Sequence, residues 1–229
     1  APPCAPHAHD RFNDIYRPTA FGAVFNNYGE PFLNKKTPQM IAKAKGNLLR
    51  TSVSSNLNVP VDAEAVVRSG LDSLIASIDG ATQTTYGRYR RGGNIEKCFE
   101  NIRNLVAARR RLGRSNPWIE WQFLTFEHNE HEVDLALEIA ESLGVDEVKV
   151  ATPFAVDEDD PEIQILESPM RGRHVLSPPA NSTRSAPPLD GIGDSVEARF
   201  AVSWAQLARS RGALDDPKPS ESPTCPWLY

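Results

Sequence analysis

Between residues 19 and 153 the chain alternates short apolar runs with helical patterns, and this alternation restricts the folds open to it. The runs are Ala20 to Phe25, Leu48 to Val53, Leu74 to Ile78, Trp118 to Phe126 and Val145 to Val150. Each is short and apolar, as a strand buried on two faces should be. Thr37-Pro38 starts a helix between the first two runs, with a capping hydroxyl and proline at the first helical position. Asp62 caps a short helix that runs toward Gly70. Asn94 opens a longer one, on which Ile95, Phe99, Ile102, Leu105, Val106 and Leu112 form a stripe at helical spacing before Gly113 stops it. Asn129 and Glu132 form a capping-box-like start for the last, whose inner face is Val133, Ala136, Leu137, Ala140 and Leu143, with Gly144 as its stop. Strand then helix, four times over and closed by a fifth strand, predicts an α/β fold with a parallel sheet and its helices on the outer side. In such a fold the functional residues lie in the loops after the strands, at their C-terminal ends.

Beyond residue 153 the composition changes. Asp157-Glu158-Asp159-Asp160-Pro161, Ser177-Pro178-Pro179, Ala186-Pro187-Pro188 and the Ser/Pro-rich stretch from Pro217 to Pro223 read as linker. A short helical pattern runs from Val196 to Leu207. The expected organisation is a β/α domain over 1–153 followed by an irregular linker over 154–222. The chain does not begin with Met and stops on the apolar Trp227-Leu228-Tyr229, so it reads as a piece lacking sequence on both sides.

Charge excludes several classes of partner. A formal net charge of -5 gives no global attraction to nucleic acid or to an anionic membrane surface. No apolar stretch approaches the ~20 residues of a membrane span, and no secretory signal pattern is visible. The three cysteines, Cys4, Cys98 and Cys225, are odd in number, which argues against a disulfide framework and for a reducing, cytoplasmic setting. Cys98 falls within a helical pattern and reads as a packed thiol.

Polar motifs follow the strands. Asn26-Asn27-Tyr28-Gly29-Glu30-Pro31 comes after the first, with glycine for a tight turn and a carboxylate suited to an ammonium group. Ser54-Ser55-Asn56 comes after the second, suited to a ribose or a carboxylate. Ser77-Ile78-Asp79-Gly80 comes after the third, followed by Tyr89-Arg90-Arg91-Gly92-Gly93. Gln122 interrupts the fourth strand and is expected to point into a polar barrel interior. Each motif taken alone is a common loop or turn composition; three of them after three successive strands are what favours a shared site.

These residues resemble a known family. Tyr28-Gly29-Glu30-Pro31, followed by Phe32-Leu33-Asn34, is similar to the Gly-Glu-Pro motif of radical S-adenosylmethionine (SAM) enzymes. Ser55-Asn56 resembles the Ser-Asn or Thr-Asn that ends their next strand. Leu74 to Gly80, with Tyr86, Tyr89-Arg90 and Gly92-Gly93, resembles the Ser-Ile-Asp-Gly segment of the branch that carries a C-terminal SPASM domain, and Cys225-Pro226-Trp227-Leu228-Tyr229 resembles that domain's opening. The resemblance implies a partial parallel (β/α) barrel of the radical SAM type over 1–153 and the start of a truncated SPASM-like domain over 223–229. It also implies a 4Fe-4S cluster on three cysteine thiolates with one iron open for SAM. Reductive cleavage of SAM would yield a 5′-deoxyadenosyl radical that abstracts hydrogen from a substrate, possession of a SPASM-type end pointing to a peptide or protein. An electron donor such as flavodoxin or ferredoxin is implied too. Glu30 would hold the SAM ammonium, with Gly29 and Pro31 shaping the turn, and Ser55, Asn56, Ser77 and Asp79 would face its ribose or carboxylate. Cys225 would belong to an auxiliary cluster.

The cluster motif itself departs from the family. Cys-x3-Cys-x2-Cys should precede Gly-Glu-Pro, yet only Cys4 lies there, and no register completes the motif. Cys4 is either a remnant third ligand or an uninvolved terminal cysteine. Two other readings stand beside this one. His7-Ala8-His9 matches the His-x-His of zinc-dependent barrel hydrolases, with His128, His131 and Asp79 at later strand ends, against a solvated Pro-rich terminus. The other is a barrel remnant that binds SAM without catalysis.

Overall fold

The computed structural model of the chain describes residues 20–26, 29–153 and 163–176. Cys4, His7, His9, Tyr28, Cys225, the pattern at 196–207 and the segment 223–229 lie outside the described residues. In chain order the elements are β1 (Gly22–Val24), a 3-10 turn (Pro31–Leu33), α1 (Thr37–Gly46), β2 (Arg50–Ser55), α2 (Ala63–Arg68), β3 (Ser73–Ser77), α3 (Gln83–Tyr89), α4 (Ile95–Arg111), β4 (Trp118–Leu124), a second 3-10 turn (Glu130–Glu132), α5 (Val133–Leu143), β5 (Glu147–Ala151) and β6 (Gly172–Val175). The strands form one sheet in sequence order, parallel from β1 to β5 and antiparallel between β5 and β6. It is an open, mixed α/β sheet, part of a (β/α) barrel. The five expected strands are present. β6 falls within the stretch expected to be irregular linker, and its register against β5 runs from Glu147 opposite Val175 to Val150 opposite Gly172.

The strands are not buried on two faces. Val53, Leu74, Ala76, Ile119, Trp121, Phe123, Val148 and Val150 point one way and join one core with Ile41, Val66, Phe99, Ile102, Leu105, Val133, Ala136 and Ala140 from the helices. The alternate positions carry Ser52, Ser54, Ser73, Ser77, Gln122 and Lys149, all half-buried on the opposite face. Side chains alternate along a strand, so polar residues at period two leave the apolar face intact. Gln122 belongs to this polar face, as its interruption of β4 led one to expect.

Several helix starts form as the sequence indicates. The Asp62 side chain accepts from the Ala65 amide and Asn94 from the Lys97 amide. Gly144 closes α5 in the left-handed conformation. Two differ. Lys36, not Thr37, is the cap residue of α1, because the Thr37 hydroxyl is turned to the Pro31 carbonyl, 2.6 Å away. Asn129 and Glu132 form no capping box, since Asn129 Oδ1 accepts from the Phe126 amide and Glu132 reaches another loop altogether.

A buried ion pair ties the other end of the sheet. Arg109 of α4 meets Asp146 at 2.7 Å, and Asp146 accepts from the Ile119 amide at 2.7 Å, while Arg109 also donates to the Pro117 carbonyl. Removing one partner of such a pair strands the other charge in a low-dielectric site. Asp146→Ala is expected to cost about 3–5 kcal/mol in urea unfolding; a loss under about 1 kcal/mol would show that water reaches Arg109.

Candidate functional site

The loops after β1, β2 and β3 meet at the C-terminal edge of the sheet, and a carboxylate organises the first two. Gly29 has φ +106, a backbone state that side-chain-bearing residues rarely adopt, and it turns the chain so that Glu30 caps the 3-10 turn that Pro31 begins. Glu30 Oε1 accepts from Ser55 Oγ at 2.7 Å and from the Phe32 amide at 3.1 Å, and Oε2 accepts from the Asn56 amide at 2.9 Å. Burial pushes the Glu30 carboxyl above its usual range, and these three donors only partly offset it. A carboxylate offers about four acceptor positions, so one on Oε2 is left for a ligand.

Ser55 is fixed further by accepting from the Leu57 amide, and the Asn56 side chain turns back to the Asn58 amide. Asn58 in turn donates to the Tyr86 hydroxyl and, at 3.0 Å, to Cys98 Sγ, while its side-chain Oδ1 accepts from the Asn94 amide. Cys98 is thus the packed thiol expected, and burial pushes it up to about 11. Asn101 completes the hold on this loop by donating to the Leu57 and Val59 carbonyls.

The β3 loop is built differently. Ser77 Oγ lies 3.2 Å from Ser54 Oγ, on the face away from the helices. Asp79, expected to face SAM, is fully buried instead. Its Oδ1 accepts from the Leu124 amide and its Oδ2 from Arg90 Nε at 2.7 Å, with Arg90 Nη2 at 2.6 Å. With no exposed surface, Asp79 positions Arg90 and locks β3 to β4. Gly80 is required by space: a Cβ there would sit 2.5 Å from the Tyr86 backbone nitrogen. Glu132 holds the same turn from below. It accepts from the Ala81 and Thr82 amides and from the Thr82 and Thr85 hydroxyls. Burial acts to raise the Glu132 carboxyl, but those donors outweigh it and hold it low.

Glu30, Ser55 and Asn56 are therefore in contact. Ser77 is linked to β2 through Ser54, and Asp79 acts through Arg90, whose positive charge also acts on Glu30. Arg90 and Glu132 were not among the expected site residues. Arg90 follows the Ser-Ile-Asp-Gly motif by ten residues, but nothing in the sequence ties Glu132 to a loop some 50 residues earlier. His128 stacks on Phe126 at 5.4 Å and is lowered by burial and by Arg88, and His131 is exposed. Among the described residues no group of three His, Cys, Asp or Glu is placed to hold a metal ion. No described helix is long and apolar enough to cross a membrane.

A scan against protein-family models finds no match, and no curated protein matches the chain. Solved structures do resemble it. SuiB of Streptococcus suis aligns over 72% of this chain and 36% of its own, with 10% identity and a TM-score of 0.54. Coproporphyrinogen III oxidase HemN from Escherichia coli, a radical SAM enzyme, aligns over 63% of this chain and 37% of its own, with 14% identity and a TM-score of 0.46. SuiB structures bound to S-adenosylmethionine and to the precursor peptide SuiA also match, with 27% and 26% of their chains covered. At these identities the likeness is one of fold, and the chain spans about a third of SuiB's length.

The raised Glu30 carboxyl sets a pH dependence. Between the unfolded value of about 4.3 and the higher folded one, the folded protein binds more protons. Its contribution is full below the unfolded value and is lost as pH rises through the folded one. Urea unfolding from pH 4 to 8 should therefore show wild type losing stability relative to Glu30→Gln as pH rises; a pH-independent difference would contradict the burial described.

Proposed function

We propose that this chain is the SAM-binding part of a radical SAM enzyme, with the cofactor seated at the C-terminal edge of β1–β3. The observation that carries this reading is the Glu30 carboxylate, fixed by three donors and left with one acceptor position at that edge. A fold shared with SuiB, which binds SAM, supports it. In this reading Glu30 holds the SAM ammonium, and Gly29 and Pro31 set the carboxylate's direction. Ser77 and the Asn56 side chain supply hydroxyl and amide groups for the ribose or carboxylate. Asp79 works at one remove, by holding Arg90 where its charge favours ionised Glu30. In the family SAM is the source of the radical; this chain's own part would be to hold and orient it and to limit water.

The residues present do not fit a 4Fe-4S cluster. Cys98 is enclosed by Asn58, Tyr86 and the Asn56 carbonyl, and the remaining two cysteines are not spaced as the cluster motif requires. Three thiolates are what the family uses, and the cysteines of this stretch do not supply them in that spacing. A peptide is the substrate class this reading favours, in keeping with a SuiB structure bound to the precursor peptide SuiA. A cytoplasmic setting fits this reading, with flavodoxin or ferredoxin as the electron donor of an intact enzyme. The zinc-hydrolase alternative rests on His7 and His9 and has no support from the described residues.

Calorimetric titration of the 229-residue chain with SAM tests the proposal. Wild type should bind, Glu30→Ala should bind at least tenfold more weakly while keeping its circular dichroism spectrum, and Ser77→Ala should show a smaller loss. No binding by wild type, or equal binding by folded Glu30→Ala, would overturn it. After anaerobic treatment with iron and sulfide, SAM and a reductant should release no 5′-deoxyadenosine; stoichiometric release would show that this stretch holds a cluster after all.

A further inference from the structure

The sheet register lines up polar side chains on the face away from the helices. Ser77 of β3 lies opposite Gln122 of β4, Gln122 opposite Lys149 of β5, and Lys149 opposite Arg173 of β6. Directly paired residues share a face, so these four form one row, and Ser54 extends it through its contact with Ser77. With strands about 4.8 Å apart, Ser77 and Lys149 are about 10 Å apart across the sheet, a span suited to a small molecule or two residues of a peptide.

The two cations of the row are not alike. Arg173 is fully engaged: its Nη1 is 2.5 Å from Glu147 and 3.0 Å from Glu120, and Glu147 also accepts from Trp118 Nε1. Those two carboxylates lie together in the next row, Glu120 opposite Glu147, and both are turned to Arg173. Lys149 is half-buried, and among the described residues its ammonium has no carboxylate partner. Lysine is depleted in strands. Such a cation beside two neutral hydrogen-bonding side chains has the chemistry of an anion site.

We propose that Lys149 anchors a carboxylate of the substrate on this face, with Gln122 and Ser77 hydrogen-bonding the atoms next to it. The substrate class is thus a carboxylate-bearing molecule, such as an acidic side chain or the C-terminus of a peptide. This rests on the reading above only in taking this face as the substrate side.

The test uses N-acetyl-L-glutamate as probe and its neutral diamide as control, titrated into the isotope-labelled chain and followed by amide NMR shifts. Wild type should bind the dicarboxylate with shifts centred on Gln122, Lys149 and Arg173, and should bind the diamide at least tenfold more weakly. Lys149→Met should lose at least tenfold for the dicarboxylate, and Lys149→Arg should stay within about threefold because the charge is kept. Added salt should weaken binding. Equal binding of probe and control, an unchanged Lys149→Met, or no binding to wild type would overturn the proposal. SAM affinity is measured on the same samples. A Lys149→Met variant that loses SAM would overturn it too, since the lysine would then serve the cofactor. A wild type that fails to bind SAM yet binds the probe through Lys149 would sink the SAM reading and leave this one standing.

Discussion

The strict alternation of side chains along β2 to β5 is what the candidate site depends on. One parity supplies Val53, Leu74, Ala76, Trp121, Phe123, Val148 and Val150 to the core, and the other supplies Ser54, Ser77, Gln122 and Lys149 to the opposite face. Parallel pairing without slippage carries that parity across the sheet. A shift of one residue would put serines among the helices and Trp121 in the open. The register is held by groups that bridge elements: Trp121 Nε1 donates to the Ile78 carbonyl at 2.7 Å, and Asp79 accepts from the Leu124 amide. The same two strands thus fix both packing and the direction in which the polar row points.

Above that sheet the loops are held by buried polar groups, each with its partners supplied. Glu30 joins the first loop to the second, Asn58 and Asn101 bind the second to α3 and α4, and Asp79 and Glu132 hold the third. Buried hydrogen bonds of this kind contribute modestly when made and cost more when broken on one side only. They convert a set of short connections into one pre-arranged edge, which lowers the conformational cost of ordering a ligand there.

Much of this was legible in the sequence. Period and punctuation located five strands and the longer helices, because apolar spacing, Asp62, Asn94 and Gly144 are local signals. Glu30 with Ser55 and Asn56 was legible as strand-end chemistry. The face on which Ser77, Gln122 and Lys149 meet was not, because it arises from pairing between distant strands. The pairing of Asp79 with Arg90 was not legible either, because sequence shows a carboxylate at a strand end but not the partner that folding brings to it. Glu132 suggested a capping box by its spacing from Asn129, whereas the hydroxyls and amides of the Thr82 turn are better partners in space. β6 was hidden by the linker-like composition around it.

The enclosure of Cys98 has a further consequence. Its sulfur is buried, lies beside Asn58 and Tyr86, and ionises only near 11. A thiol in that state is a poor nucleophile at neutral pH. Its alkylation must wait until α4 and the loop after β2 separate, so the rate at which iodoacetamide marks the Cys98 peptide is a clock for opening of the edge that carries Glu30. A ligand that binds the closed edge will slow that clock in proportion to its occupancy, and so the protein carries an internal reporter of binding that requires no added label on the ligand.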